Sequence, residues 1–203
     1  MDILQVLGST LGLSFLAGMR LYATVLALGL GIRYHLFRLP QALNGLEVLA
    51  HPAVLIIAGA AFAAEFVADK VPWFDTLWDS VHTFIRPVGA ALLGATALAD
   101  MDPPVRVGLA LLCGGVALTS HSSKAATRVV ANHSPEPFSN IALSLAGDVA
   151  APAGVWLAMS HPLIALGAVA VAVAVSLLLV RFIVRKLRTV FARLFGGKQP
   201  VAA

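Results

Sequence analysis

Charged and titratable side chains are scarce in this chain, and they come in two groups. The first lies in E-F-V-A-D-K-V-P-W-F-D-T-L-W-D-S-V-H-T-F-I-R-P-V-G, residues 65–89. There Glu65, Asp69, Asp75 and Asp79, four of the ten acidic residues, fall within fifteen positions. Asp75, Asp79, His82 and Arg86 are spaced i, i+4, i+7 and i+11, which places them on one face of a helix. The second group is T-S-H-S-S-K-A-A-T-R, residues 119–128, where His121, Lys124 and Arg128 share a face at i, i+3 and i+7. Arg20 and Asp148 stand singly in apolar surroundings.

These residue types suit the handling of protons or anions. Carboxylates taken out of water can pick up and release protons. Arginine and lysine can hold an anionic head group. The candidate substrate or ion site is therefore Arg20, Glu65, Asp75, Asp79, His82, Lys124, Arg128 and Asp148. A static charge network that fixes helix packing is the competing reading. Asp75, Asp79 and His82 could offer three ligands on one face, but zinc sites draw on more His or Cys and the helical H-E-x-x-H pattern is absent, so no metal is expected. Ser120, Ser122 and Ser123 flank His121, yet neighbours on a helix do not face each other and no G-x-S-x-G elbow occurs. No enzymatic role and no cofactor are expected.

The elements that must carry these residues are membrane helices. Hydrophobic residues make up 59% of the 203-residue chain and charged residues 12%. Mean hydropathy is +0.89, whereas soluble domains carry about 25% charged residues. One all-α, polytopic membrane domain is expected over 1–180, followed by a basic tail at 181–203. Cys113 is the only cysteine and lies in an apolar run, so it reads as a packed hydrophobe. The first segment lacks the basic start of a cleaved signal and reads as a retained span.

Taken in order, 3–32 forms a first span and 33–47 a polar connection with an Asn44-Gly45 turn signal. A second span covers 50–68. A short polar-faced helix at 73–86 is expected to be parted by a bend from an apolar half-helix at 87–99, because Pro87 lacks a donor and disfavours helix at Arg86. Asp100-Met-Asp-Pro-Pro marks an aqueous loop. A span follows at 105–131, then a loop, a short helix at 138–149, a half-helix from Pro152, a turn at His161-Pro162 and a last span at 163–180. Trp73 and Trp78 read as interfacial anchors, and the glycines at 8–31 as sites of close helix contact.

The short helices and half-helices suggest a duplication. Pro72-Trp-Phe-Asp75 and Pro137-Phe-Ser-Asn140 are 65 residues apart, as are Pro87-Val-Gly89 and Pro152-Ala-Gly154. The copies would cover 50–99 and 107–160, each pair of pieces being either re-entrant or a broken span, with the site at their junction. Re-entrant pairs make four crossings and inverted copies; broken spans make six crossings and parallel copies.

Six of the fourteen basic residues, from Arg181 to Lys198, lie in the tail without an acidic residue. This end is expected in the cytoplasm, resting on anionic lipid, with the N-terminus on the same side. Membrane lipids are the expected partners, with a small anionic substrate or protons at the site. Nucleic acid is not, because the basic run continues directly from an apolar span.

At G-M-R-L-Y-A-T (18–24), A-D-K-V-P-W-F-D-T-L-W-D (68–79), H-T-F-I-R-P-V-G-A (82–90), H-S-S-K-A-A-T-R (121–128) and A-G-D-V-A-A-P (146–152) the chain resembles a bacterial integral-membrane family. That family is catalogued only as a domain of unknown function, number four-one-two-six. The resemblance implies a small multi-pass membrane protein and brings no activity; the expected location is the bacterial inner membrane. The paired short helices also look like those of DedA-type lipid transporters, at the level of architecture. The expected function is a transporter or lipid-handling protein that binds a small anionic or amphipathic substrate between the two repeats. A non-transporting scaffold held by a structural charge network is the alternative.

Overall fold

Proline sets where the helices begin. The computed structural model describes residues 2–132 and 137–195. After α1 (Ile3–Arg33), each helix starts at a proline: α2 (Pro52–Ala68), α3 (Pro72–Ala97), α4 (Pro103–Asn132), α5 (Pro137–Ser160) and α6 (Pro162–Phe195). Proline suits the first turn because its missing N–H would have no partner there and its φ is already helical. Asp2 starts α1 instead. Its carboxylate accepts from the Leu4 N–H at 3.3 Å and its own N–H donates to Gln5 Oε1 at 3.3 Å. The expected loop at 133–136 and the end of the basic tail at 196–203 lie outside the described residues.

The fold is all-helical, with no strand among the described residues. Among the described residues four helical stretches are long and apolar enough to cross a membrane: Ile3–Arg33, Pro103–Arg128, Ile141–Ser160 and Pro162–Lys186. A 3₁₀ segment, Gln41–Ala50, meets α2 at 71° and could add a fifth crossing with it. This segment replaces the open turn expected at Asn44-Gly45, since Leu43 and Leu46 are fully buried beneath it. Large apolar side chains cover the outside, among them Ile56, Ile57, Leu111 and Leu178, as hydrocarbon contact requires. α3 is not one of the four, yet Trp73, Leu77, Val81, Phe84, Val88 and Leu92 are exposed along one side of it. Its charges all lie on the opposite side.

Two expectations about breaks are corrected. α3 is one helix from Pro72 to Ala97 with Pro87 inside it, and α5 is one helix with Pro152 inside it. The short helices at 73–86 and 138–149 are therefore the first halves of longer ones. Proline removes one hydrogen bond, and α3 is held against α4 on both sides of that loss. Gly94 lies against Cys113 on one side, and Asp79 reaches Lys124 at 3.5 Å on the other. The break occurs instead in α1, at Arg20, whose backbone leaves the helix at φ −148° and ψ 78°.

α1 is the hub and touches every other element. Gly18 permits close approach of α4, because a Cβ there would collide with the Ala117 carbonyl and the Ser120 hydroxyl. α3 and α5 flank α1 in opposite directions. Gly89 of α3 faces Leu21, and Leu93 and Ala97 join Leu28 in the core. Gly154 of α5 faces Leu16, and Ala158 faces Gly12. α6 runs alongside α1 in the same direction, from Pro162 against Gly8 to Val175 and Ser176 beside Met19 and Arg20. With both helices crossing, the N-terminus and the basic end of α6 lie on opposite faces. The expectation of both termini on one side is corrected on that ground. Charge counting orients each end but does not register how many times the chain crosses.

Candidate functional site

Arg20 sits at the break in α1, and the chain gathers its buried charges around it. Among the described residues four carboxylates are buried: Glu65 near the end of α2, Asp69 in the turn before α3, and Asp75 and Asp79 in α3. Four cations are buried with them: Arg20, Arg86 of α3, and Lys124 and Arg128 of α4. The helical spacings place Asp75, Asp79, His82 and Arg86 on the side of α3 that meets α4. His121, Lys124 and Arg128 answer from α4.

Asp69 is the centre. It pairs with Arg20, with Arg128 at 3.4 Å and with Lys124 at 3.6 Å. Arg128 also reaches Asp75 at 3.5 Å and donates to the Asp69 carbonyl at 3.1 Å. Arg86 bonds Glu65 at 2.6 Å and lies 3.3 Å from Asp79. Arg20 continues to α5, where its guanidinium donates to the Ser144 carbonyl at 2.8 Å and lies 3.3 Å from half-buried Asp148. Gly147 makes room for it: a Cβ there would be 3.0 Å from Arg20 Nε. Among the described residues the buried layer is neutral, four against four, with half-buried Asp148 and Lys70 at its edge, as burial demands, because an unpaired charge at membrane depth costs at least about 2.5–3.5 kcal/mol.

Of the two buried histidines among the described residues, His121 is held as a neutral ring by its partner. Arg86 can only donate, so His121 Nδ1 accepts from it at 2.8 Å, and the ring proton sits on Nε2. That Nε2–H faces the Thr83 hydroxyl at 3.0 Å and the Asp79 carbonyl at 3.2 Å. His82 Nδ1 donates to the Trp78 carbonyl at 2.8 Å, leaving Nε2 to accept from Tyr22 at 3.1 Å. Trp78 stacks on His82 at 4.4 Å; Trp73 is exposed, as expected of an interfacial ring. The Ser120 hydroxyl donates to the Phe15 carbonyl at 2.8 Å and Ser122 to Leu118 at 2.7 Å, so neither engages the neighbouring histidine. Among the described residues no three of His, Cys, Asp and Glu converge as metal ligands.

Two openings are lined by buried members of the layer; another, about 430 Å³, touches Asp148 at its edge. The larger of the two, about 330 Å³, lies between α1, α4, α5 and α6. Arg20, Lys124 and Arg128 line it with the hydroxyls of Ser120, Ser123, Thr127 and Ser176, and its walls include Phe15, Met19, Leu143 and Val175. No carboxylate lines it. The smaller, about 130 Å³, lies between α3 and α4 and is lined by Asp75, Asp79, Thr76, Ser80, Thr83, Ala125 and Arg128. Lys124 Nζ makes no hydrogen bond; its nearest carboxylates are 3.5 and 3.6 Å away.

The structure thus brings seven of the eight sequence candidates into one layer or its edge: Arg20, Glu65, Asp75, Asp79, Lys124, Arg128 and Asp148. His82 is held one step off, through Tyr22 and Trp78. Asp69, Arg86 and His121 belong to the layer as fully as the candidates do. Arg86 and His121 were visible on the two helical faces. Asp69 sits in a turn, where no periodicity assigns it a face.

A helical bundle with an apolar exterior and its charges turned inward fits a multi-pass membrane protein. The family model described as "Domain of unknown function (DUF4126)" matches residues 7–182, and the chain belongs to that family. No curated protein and no solved structure matches the chain, so the likeness to DedA-type transporters gains no support.

Proposed function

We propose that this protein is a carrier that binds a small anionic amphiphile and moves it through the membrane. The supporting observation is the larger cavity, where three cations and four hydroxyls meet apolar walls and no carboxylate intrudes. Cations and hydroxyls hold an anionic head, and Phe15, Met19, Leu143 and Val175 shelter its chain. The protein would sit in the inner membrane with its basic C-terminal end in the cytoplasm. No catalytic step belongs to this reading.

The site would lie between two inverted units, α2–α3 and α4–α5. Pro87 and Pro152 occupy equivalent places in α3 and α5, and Gly89 and Gly154 meet Leu21 and Leu16 of the hub helix from opposite directions. That opposition favours inverted over parallel copies. The turn at Asp69 would then end within the membrane, beside Arg20.

A structural reading has its own support. Every buried cation has a carboxylate within 4 Å, which a scaffold also needs. Native mass spectrometry of the purified protein separates the two. The carrier retains an anionic amphiphile, and Lys124→Gln loses it. An empty wild-type cavity, or equal retention by the variant, would leave the scaffold reading in place.

A further inference from the structure

The neutral layer raises a question about any anion that enters the larger cavity. Arg20, Lys124 and Arg128 line that cavity, but Asp69, Asp75 and Asp79 already balance them from behind. An added anion would leave one negative charge without a partner in a buried site. The layer can admit it only by taking up a positive charge elsewhere.

We propose that the carrier takes up one proton on Asp79 for each anion bound, so that proton and anion travel together. This rests on the carrier reading and deepens it. Asp79 is placed for the task in three ways. Its side chain is 7% exposed, and both carboxylate oxygens lack hydrogen-bond partners. It lines the smaller opening with the hydroxyl-bearing Thr76, Ser80 and Thr83, which gives protons an approach from the side opposite the anion. And its partner Lys124, 3.5 Å away, faces the larger cavity with no hydrogen bond of its own. A proton arriving through the smaller opening forms an O–H bond on Asp79 and cancels its charge. Lys124 then has an ammonium free of that pairing, and the anion becomes its new partner. Release reverses both events, and charge balances at each stage.

Among the described carboxylates, Asp79 alone both lines the smaller opening and reaches Lys124. Asp69 is bracketed by Arg20, Lys124 and Arg128 from α1 and α4. Glu65 of α2 is tied to Arg86 at 2.6 Å. Asp75 faces Arg128, and Asp148 of α5 lies behind Arg20. His121 of α4 points its only lone-pair nitrogen at Arg86, and His82 of α3 gives its own to Tyr22 of α1. Arg86, from α3 itself, lies 3.3 Å from Asp79 and is shared with Glu65.

The test uses octanesulfonate, which keeps a single negative charge at every pH used, with the purified full chain in nanodiscs and empty nanodiscs as the baseline. If one proton accompanies binding, affinity for octanesulfonate rises by up to about tenfold per unit as pH is lowered from about 8 to about 5. Calorimetry in two buffers of different ionisation heat then reads one proton taken up per ligand, without any variant. Asp79→Asn carries a neutral side chain permanently, and it binds octanesulfonate with pH-independent affinity equal to the wild-type value at low pH. Lys124→Gln weakens binding at least about tenfold at every pH. Asp79→Glu keeps the proton uptake. Binding with no proton uptake overturns the coupling and leaves the carrier reading standing. Proton uptake that persists in Asp79→Asn overturns the assignment to Asp79. Absence of octanesulfonate binding at any pH overturns the carrier reading and the coupling together.

Discussion

The two openings beside the ion-pair layer share Arg128 but differ in everything else. The cavity between α1, α4, α5 and α6 shows three cations and apolar walls; the cleft between α3 and α4 shows Asp75 and Asp79 among hydroxyls. One layer of side chains thus presents opposite signs to its two sides. Four buried carboxylates against four buried cations make the layer stable as a unit. The way it is cut, with cations alone on one side and two carboxylates beside Arg128 on the other, makes the sides chemically distinct. A purely structural network needs the balance but has no use for the sorting.

The largest expected effect falls on the residue that belongs to both sides. Asp69→Asn removes the common partner of Arg20, Lys124 and Arg128, and breaking a buried pair costs about 3–5 kcal/mol. Thermal unfolding in detergent should show a variant that barely survives purification. If Asp69→Asn matches the wild type, the layer does not hold the fold. Next is the pair that separates the sides. Lys124→Gln and Asp79→Asn should each lower stability, and the double variant should recover part of the loss, with an interaction of about 0.5–3 kcal/mol. Strict additivity would show that the 3.5 Å contact contributes nothing.

Smaller effects sharpen the contrast. Ser123→Ala, in the cation-lined cavity, should weaken octanesulfonate binding by about tenfold, since a hydrogen bond to a charged group contributes about 1.5 kcal/mol at the low end of its range. Ser80→Ala, in the acidic cleft, should leave binding unchanged and stability within about 0.5 kcal/mol, because its exposed hydroxyl only returns to the Thr76 carbonyl. Equal effects of the two would erase the distinction between the openings.

Much of this arrangement could be read in the residues. The charges at i, i+4, i+7 and i+11 from Asp75, and at i, i+3 and i+7 from His121, specify two helix faces whose cost in hydrocarbon forces them to meet. The helix starts were marked by Pro52, Pro72, Pro103, Pro137 and Pro162. Breaks were not legible. A proline rule places one at Pro87, where packing of α3 along α4 keeps the helix whole. The actual break, at Arg20, follows from a side chain that must reach Asp69, Ser144 and Asp148 at once, a demand set by elements far away in sequence. Asp69 was obscured for the same reason, because its three cations come from α1 and α4. The direction of α6 relative to α1, which parts the two ends of the chain, is a property of packing and leaves no local mark.

The central claim, that the cation-lined cavity carries an anionic amphiphile across the membrane, is tested most directly in vesicles. Purified protein is reconstituted with a head-group-fluorescent phosphatidylglycerol, and an impermeant reductant is added outside. The account predicts that wild-type protein exposes inner-leaflet label to the reductant and that Lys124→Gln returns the signal to that of protein-free vesicles. Wild-type vesicles that protect their inner-leaflet label as fully as protein-free ones would contradict it.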